Sequence, residues 1–369
     1  MNFLGLLAYC KDQNITLSLD GEQLKVTCED ELFTPEFSEY LKSHKQQLVS
    51  HLKAQSLTPS DDINYEEGVV TTLMQKRFWL AQELSALGSA YNIVKTFKLM
   101  NAIDAQMLEQ AFKALLVANP ALTMTFKQVD GQLIQFPSDN SFSIVQYNCE
   151  NENTSQQFCH EFAHQSFLLS DDLPIRAALV TLVTGEQILC VVVNHIVCDG
   201  ISVGHLMNSL LTNYLKIVKG IAVESVEPDL SFLDYAQRQH RDIVENRYED
   251  MLSYWTERLE NLPNLHQIPL LKVHSKQNEN NAAHYALILD KALSNKAKTY
   301  CSNNAFTTFN LMHSLFALWL ARVSGETDIV FGTPVNDRHQ VQYNQSIGLF
   351  INSLVLRNNV DHSLSFQQW

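Results

Sequence analysis

The sequence predicts a mixed α/β (α+β) chain in which a small αββαα module precedes a larger domain. The apolar run Gln187–Val193 predicts a buried strand that leads into a helical segment. Near the N terminus, Asp20-Gly21 predicts a tight turn between two short strands. Further on, a helical segment that ends at Gly325 precedes the apolar strand Ile329–Phe331. Strands that alternate with helices are typical of mixed α/β architectures.

The N-terminal module is predicted to contain a helix, a hairpin and one or two further helices. Phe3–Leu7 open an apolar helical face, and Ile15–Val26 are typical of a hairpin. Thr34-Pro35 predicts an N-cap followed by proline at the first helical position. The helical periodicity continues through Leu41, Leu48 and Leu52. We assign residues 1–54 to this module and the polar residues 55–67 to a linker.

Composition excludes several classes of function. The chain has 369 residues, of which 46% are hydrophobic, and this is enough for a sizeable core. A net charge of -14 argues against nucleic acid or an anionic membrane as a partner. We see no uninterrupted stretch of membrane-spanning length and no basic leader. Seven cysteines without a CxxC pair favour a reducing compartment, so we expect the cytoplasm.

The end of the buried strand carries the strongest candidate for chemistry. His195 and Asp199 lie between the predicted strand and the helix that follows Gly200. A neutral imidazole can accept a proton near neutral pH, whereas a carboxylate suits an orienting or structural charge. Gly200 would allow backbone angles that other residues avoid. The alternative is a hydrogen-bonded core histidine beside a loop carboxylate.

A second pattern points to zinc. His160-Glu161-Phe162-Ala163-His164 matches HExxH on a predicted helix, and two histidines four residues apart can bind one metal ion. The pattern is short, the same helix has strong apolar character, and no third ligand is placed by a known signature. We therefore expect no metal site.

A family resemblance decides between these alternatives. Asn194–Gly200 resembles the HHxxxDG motif of nonribosomal peptide synthetase condensation domains, with Asn194 at the first histidine and His195 at the second. Other motifs of that family follow its order: Met74–Leu80 is similar to AQxRLWxL, Ser231–Ala236 to YxDFAxW, Tyr254–Leu259 to YWxxxL, Gly332–Arg338 to GTPxxxR and Ile347–Ser353 to IGxFVNT.

The resemblance implies a two-lobed fold of the chloramphenicol-acetyltransferase type with a tunnel between the lobes. We expect the condensation domain over 68–369, with an N-lobe at about 68–235 and part of a C-lobe at about 236–369. The sequence ends at Trp369 without a later HQDxPFE-type motif, so we expect an incomplete second lobe. The RHExLRT segment of the family is only weakly kept around Val117–Met124.

The resemblance also implies a reaction. An acceptor amine attacks the carbonyl of a donor thioester, and an amide forms. His195 would orient or deprotonate the amine, and the Gly200 N–H would bind the oxyanion. Asp199 would pair with Arg176, and Asn194 would be structural. The chain would bind no cofactor, because donor and acceptor peptidyl carrier proteins would present phosphopantetheine-tethered substrates.

The N-terminal module resembles the docking domains of the TubC type, which bind the C-terminal linear motif of the preceding synthetase protein. The segments that show this resemblance are Ile15–Val26 and Phe33–Glu36. A hairpin edge can accept such a segment as an added strand. The hairpin residues expected to bind it are Leu17, Leu19, Leu24, Lys25 and Val26. The alternative is a small accessory domain that packs against the main body.

Three functions follow from these observations. The first is a peptide-bond-forming acyltransferase that receives its donor through the docking domain. The second is a noncatalytic docking or scaffolding fragment. The third is the metallopeptidase, which we have set aside on the grounds given above.

Overall fold

The structure of the chain is a computed structural model. It describes residues 6, 9–10, 15–20, 23–27, 34–45, 48, 64–84, 88–223, 226–263, 266, 268 and 285–369. Among these residues, no helix combines the length and the apolar content needed to cross a bilayer. The fold is mixed α/β, as predicted.

The described part of the N-terminal module contains a hairpin and a helix. Its elements are β1 (Thr16–Asp20), β2 (Gln23–Thr27) and α1 (Pro35–Ser43). The strands are antiparallel, with Asp20 opposite Gln23 at the turn. The Thr34 hydroxyl accepts a 3.2 Å hydrogen bond from the Phe37 N–H, which confirms the predicted cap before Pro35. Most of the predicted first helix and linker residues 55–63 lie outside the described residues.

The chain divides into two compact units, of which the first comprises 1–247 with 336–351 and the second 248–335 with 352–369. After the N-terminal module, the elements of the first unit are β3 (Val69–Val70), α2 (Leu73–Leu84), β4 (Asn92–Leu99), α3 (Ala105–Ala118), β5 (Met124–Val129), β6 (Gln132–Pro137), β7 (Ile144–Cys149), α4 (Glu152–His164), β8 (Ile175–Leu182), β9 (Gln187–Asn194), α5 (Gly200–Val218) and α6 (Ser231–Val244).

A four-stranded mixed sheet positions the candidate site in this unit. Its order is β4-β9-β8-β7, in which β9 is antiparallel to both neighbours and β7 is parallel to β8. Leu189 lines a groove with Leu108 of α3 and Leu210 of α5. The next residue, Cys190, is hydrogen-bonded to Cys159 of α4. Helices therefore cover β9 on both faces, which explains its unbroken apolar run.

The elements of the second unit are α7 (Glu249–Arg258), α8 (Lys291–Asn303), α9 (Thr308–Ser324), β10 (Asp328–Asn336) and β11 (Ile351–Asn359). The Thr307 hydroxyl caps α9 by accepting from the Asn310 N–H at 3.0 Å. Gly325 ends this helix in the left-handed conformation with φ 76°. Ile329 is fully buried in the adjoining strand. The predicted helix, its end at Gly325 and the following strand are thus confirmed.

The division into units differs from the linear one expected from the sequence. Helix α6 crosses the expected boundary at residue 235, and residues 336–351 return to the first unit. Side chains in this returning segment hold it there, because the Tyr343 hydroxyl donates to the buried Asp234 of α6 at 3.1 Å. Arg238 of the same helix also pairs with Asp234, at 3.0 Å. A distant segment thus completes the first unit.

Candidate active site

The candidate site lies where β9 ends, as predicted. After Asn194, a 3-10 helix covers His195–Val197 and α5 begins at Gly200. Two caps make this geometry: the Asn194 side chain accepts from the Ile196 N–H, and the Asp199 side chain accepts from the N–H of the third α5 residue. The β-branched run before Asn194 favours the strand, and the caps end it.

Asn194 is a buried neutral anchor. Only 1% of it is exposed. Its Oδ1 accepts from the Ile196 N–H at 3.0 Å, and its Nδ2 donates to Gln82 Oε1 at 3.0 Å. Gln82 in turn donates to the Phe167 carbonyl at 2.9 Å. Both functional ends of Asn194 are therefore used to fix the turn that carries the histidine.

His195 is half-buried and held from two sides. Its backbone N–H donates to the Tyr91 carbonyl at 2.8 Å. Its imidazole stacks on the Phe78 ring, with centroids 4.9 Å apart and planes 14° from parallel. Burial lowers the pKa of His195 below its ordinary value of 6.5, although its own backbone and the Asp199 charge oppose that shift. The imidazole is therefore neutral at pH 7 and can accept a proton.

Asp199 is a buried carboxylate, and its partner is Arg338. Arg338 Nη1 donates to Asp199 Oδ2 at 2.7 Å, and Nη2 donates to Oδ1 at 3.2 Å. The N–H groups of Ser202 and Phe350 donate to the same carboxylate at 2.8 and 3.0 Å. Burial raises the pKa of Asp199, but the charge of Arg338 and the hydrogen bonds from Arg338 and Ser202 lower it by more. The pKa of this carboxyl therefore lies below its ordinary value of 3.8.

The expected pair of Asp199 with Arg176 is wrong. Arg176 donates to the carbonyls of Phe162 and Gln165 at 2.8 and 2.5 Å. Its guanidinium also lies over the Phe167 ring, 4.1 Å from the centroid. Arg176 therefore contacts carbonyl oxygens and aromatic rings near α4. The countercharge of Asp199 is Arg338, which lies in the returning segment 336–351. The Arg338 role was missed, although the GTPxxxR resemblance marks that residue.

Ser202 joins this ion pair to the returning segment. Its hydroxyl accepts from Arg338 Nη2 at 2.6 Å and donates to the Gly348 carbonyl at 2.8 Å. The Gly348 N–H lies 3.0 Å from the same oxygen. The start of α5 is thus tied to the IGxFVNT-like segment by a buried network with one countercharge for its one carboxylate.

The Gly200 backbone and the Cys198 thiol differ in access. Gly200 is exposed in the first turn of α5, where N–H groups have no partner within the helix. A Cβ at this position would meet nothing within 4 Å, so a substrate can approach the backbone. Its φ is not in the positive range, so the expected need for glycine geometry is absent.

Cys198 is fully buried, and burial raises its pKa, so it stays a protonated thiol.

Helix α2 contributes contacts that sequence reasoning did not predict. Gln75 Nε2 donates to the Ile196 carbonyl at 3.2 Å, and Phe78 and Gln82 contact His195 and Asn194 as described above. The signal was available only indirectly, because Gln75 and Phe78 lie in the segment similar to AQxRLWxL. Periodicity could not show which face of α2 meets the strand end.

The HExxH pattern is a surface feature of α4. The rings of His160 and His164 stack with centroids 4.0 Å apart. Glu161 accepts from Gln157 at 2.9 Å. Within the described part of the chain, no group of three or more His, Cys, Asp or Glu side chains is arranged to hold a metal ion.

The hairpin residues expected to bind a partner divide into two groups. Leu17, Leu24 and Val26 are half-buried and pack against the core of the N-terminal module. Lys25 is exposed and lies opposite Ser18 in the register. The side chain of Leu19 lies outside the described part.

Family comparison gives two matches along the chain. Residues 65–369 match the condensation domain, and residues 5–54 match the TubC N-terminal docking domain. Bacitracin synthase 2 of Bacillus licheniformis is 24% identical over 382 residues, covering 100% of this chain and 14% of the relative. Malpibaldin synthetase of Mortierella alpina is 24% identical over 359 residues, covering 95% of this chain and 6% of the relative. The chain thus spans a small part of these relatives.

Solved structures show the same fold. The condensation domain that mediates chain release from the enacyloxin polyketide synthase has a TM-score of 0.66 at 19% identity, covering 100% of this chain and 73% of that one. The X-domain from teicoplanin biosynthesis has a TM-score of 0.73 at 23% identity, covering 83% and 69%. The first condensation domain of the CDA synthetase has a TM-score of 0.65 at 20% identity, covering 81% and 72%.

Proposed function

Because this chain belongs to the condensation domain family, we propose that it is part of a nonribosomal peptide synthetase and forms an amide between two carrier-bound thioesters. The observation that carries the proposal is the half-buried imidazole of His195, stacked on Phe78 at the end of β9 and close in the chain to the accessible backbone of Gly200. These two groups match what aminolysis of a thioester requires: a proton acceptor for the amine and a donor for the oxyanion.

The reaction balances without a cofactor bound to this chain. The acceptor amine forms a C–N bond to the donor carbonyl, and its proton passes to the imidazole of His195. The tetrahedral oxyanion is met by the Gly200 N–H. When the C–S bond breaks, the donor phosphopantetheine leaves as a thiol that takes the proton. Both phosphopantetheine groups belong to the donor and acceptor carrier proteins.

The hairpin supports a second part of the proposal. The N-terminal module captures the C-terminal linear motif of the upstream synthetase protein, which adds a strand to the hairpin edge. The exposed ammonium of Lys25 then favours an acidic residue in that motif. Seven cysteines without a pairing framework favour the cytoplasm as the place of assembly.

The experiment is a condensation assay with the full chain, an acyl-loaded donor carrier and an aminoacyl-loaded acceptor carrier. We expect amide product with the unchanged protein and a loss of about 100-fold or more with His195→Ala, because a general base typically contributes that much. His160→Ala is the matched control, since this histidine is exposed on α4 and its ring stacks on that of His164. It should leave the rate unchanged.

Two outcomes would contradict the proposal in different ways. Equal rates for the unchanged protein and His195→Ala would remove the histidine from the chemistry. No product, together with intact binding of both carriers, would reject catalysis and support the docking or scaffolding fragment. Carrier binding is measured separately by fluorescence anisotropy with labelled carriers.

A further inference from the structure

One face of α2 meets the strand end that carries the histidine. Gln75, Phe78 and Gln82 are three and four residues apart, so they share a face of the helix. Gln75 and Gln82 are buried, and a buried polar side chain needs hydrogen-bond partners. The charged residues of α2 are exposed, namely Lys76, Arg77 and Glu83.

The three side chains contact three consecutive residues. Gln82 accepts from the Asn194 amide at 3.0 Å, and Gln75 donates to the Ile196 carbonyl at 3.2 Å. The Phe78 ring lies between these two contacts and stacks on the imidazole of His195. The side chain of the residue before the histidine and the carbonyl of the residue after it are therefore each held by a glutamine of α2, while the imidazole is held by an aromatic ring.

A second aromatic residue holds Phe78 in place. The Tyr91 ring meets the Phe78 ring edge-on, with centroids 5.0 Å apart and planes at 86°. The Tyr91 carbonyl accepts the His195 backbone N–H at 2.8 Å. Tyr91 thus contacts both members of the stacked pair, so a movement of Phe78 would also disturb the support of the histidine.

We propose that α2 is the positioning element of His195 and that Phe78 is its positioning residue, which fixes the plane of the imidazole and shields one face from water. Its part in amide formation rests on the function proposed above, but the contact itself does not. Burial favours the neutral imidazole, while the Asp199 carboxylate, paired with Arg338, opposes it. Removing the ring admits water and favours the imidazolium.

The test uses the full chain with Phe78→Leu, and Phe78→Tyr as the conservative variant. NMR of the His195 ring carbons over a pH titration reads the imidazole directly. We expect Phe78→Leu to raise the titration midpoint of the His195 imidazole toward its ordinary value. Phe78→Tyr keeps an aromatic ring and should leave this midpoint as in the unchanged protein. In the condensation assay, kcat should fall about tenfold for Phe78→Leu with KM unchanged, and its pH profile should shift upward.

The matched control is Phe158→Leu. Phe158 is also half-buried and also stacks on a ring, that of Tyr147, with centroids 4.1 Å apart. It should leave the His195 midpoint unchanged. An unchanged midpoint in Phe78→Leu, or an equal shift in Phe158→Leu, would overturn the proposal. A protein without amide-forming activity still shows the NMR shift, so failure of the function and failure of the positioning are distinguishable.

Discussion

At the residue scale, the carboxylate of Asp199 decides how the site is held. Only 3% of Asp199 is exposed, and its carboxylate accepts four hydrogen bonds, from Arg338, Ser202 and Phe350. A buried carboxylate is tolerated only when its charge and its lone pairs are satisfied. The pair with Arg338 therefore stabilises the start of α5, and the loss of one partner leaves the other charge uncompensated.

We predict that Arg338→Ala destabilises the first unit by about 3–5 kcal/mol, because it leaves the Asp199 charge buried and unpaired. Urea unfolding, followed by a probe in the first unit, measures the change. Arg247→Ala is the control, since this arginine pairs with Asp242 with its side chain 57% exposed, and it should cost about 1 kcal/mol or less. Equal costs for the two variants would show that burial of the pair is unimportant.

Sequence reasoning located His195, Asn194 and Asp199 because they are neighbours in the chain and end one strand. It assigned Arg176 to Asp199, which is 23 positions away in the chain, whereas Arg338, which forms the pair, is 139 positions away. Which one pairs depends on how distant segments pack. Arg176 instead donates to the Phe162 carbonyl, and its guanidinium lies over the Phe167 ring.

At the element scale, local signals were sufficient for β9 and α5 but not for the approach of α2. The β-branched run, the two caps and the helical spacing are all encoded within one short segment. The contacts of Gln75 and Gln82 are not, because glutamine is ordinary on exposed helix surfaces. Their burial follows only from the partners on the strand end.

We predict that Asn194→Ala costs more stability than an ordinary cap. It removes the acceptor for the Ile196 N–H and leaves the buried Gln82 oxygen without its donor, so we expect a loss of about 2–3 kcal/mol. Asn151→Ala is the matched control, since this exposed asparagine caps α4 and should cost about 1 kcal/mol. Thermal unfolding of both variants checks the difference, and equal losses would contradict the buried role of Asn194.

At the scale of the whole molecule, capture of a partner and chemistry are assigned to different residues. Leu17, Leu24 and Val26 pack against the core of their own module, so their loss would unfold it rather than weaken binding selectively. Lys25 is exposed and does not raise this difficulty. It allows the docking proposal to be tested in the intact chain, independently of His195.

We predict that Lys25→Glu raises the KM for the upstream donor protein about threefold without changing kcat, because an exposed charge affects encounter and register but not the reacting groups. His195→Ala should lower kcat without changing this KM. Lys42→Glu is the control, since it makes the same charge change at an exposed position of α1. Fluorescence anisotropy with labelled C-terminal peptides of synthetase proteins measures binding directly. An equal loss of affinity in Lys25→Glu and Lys42→Glu would indicate that net charge, and not the hairpin edge, recruits the donor.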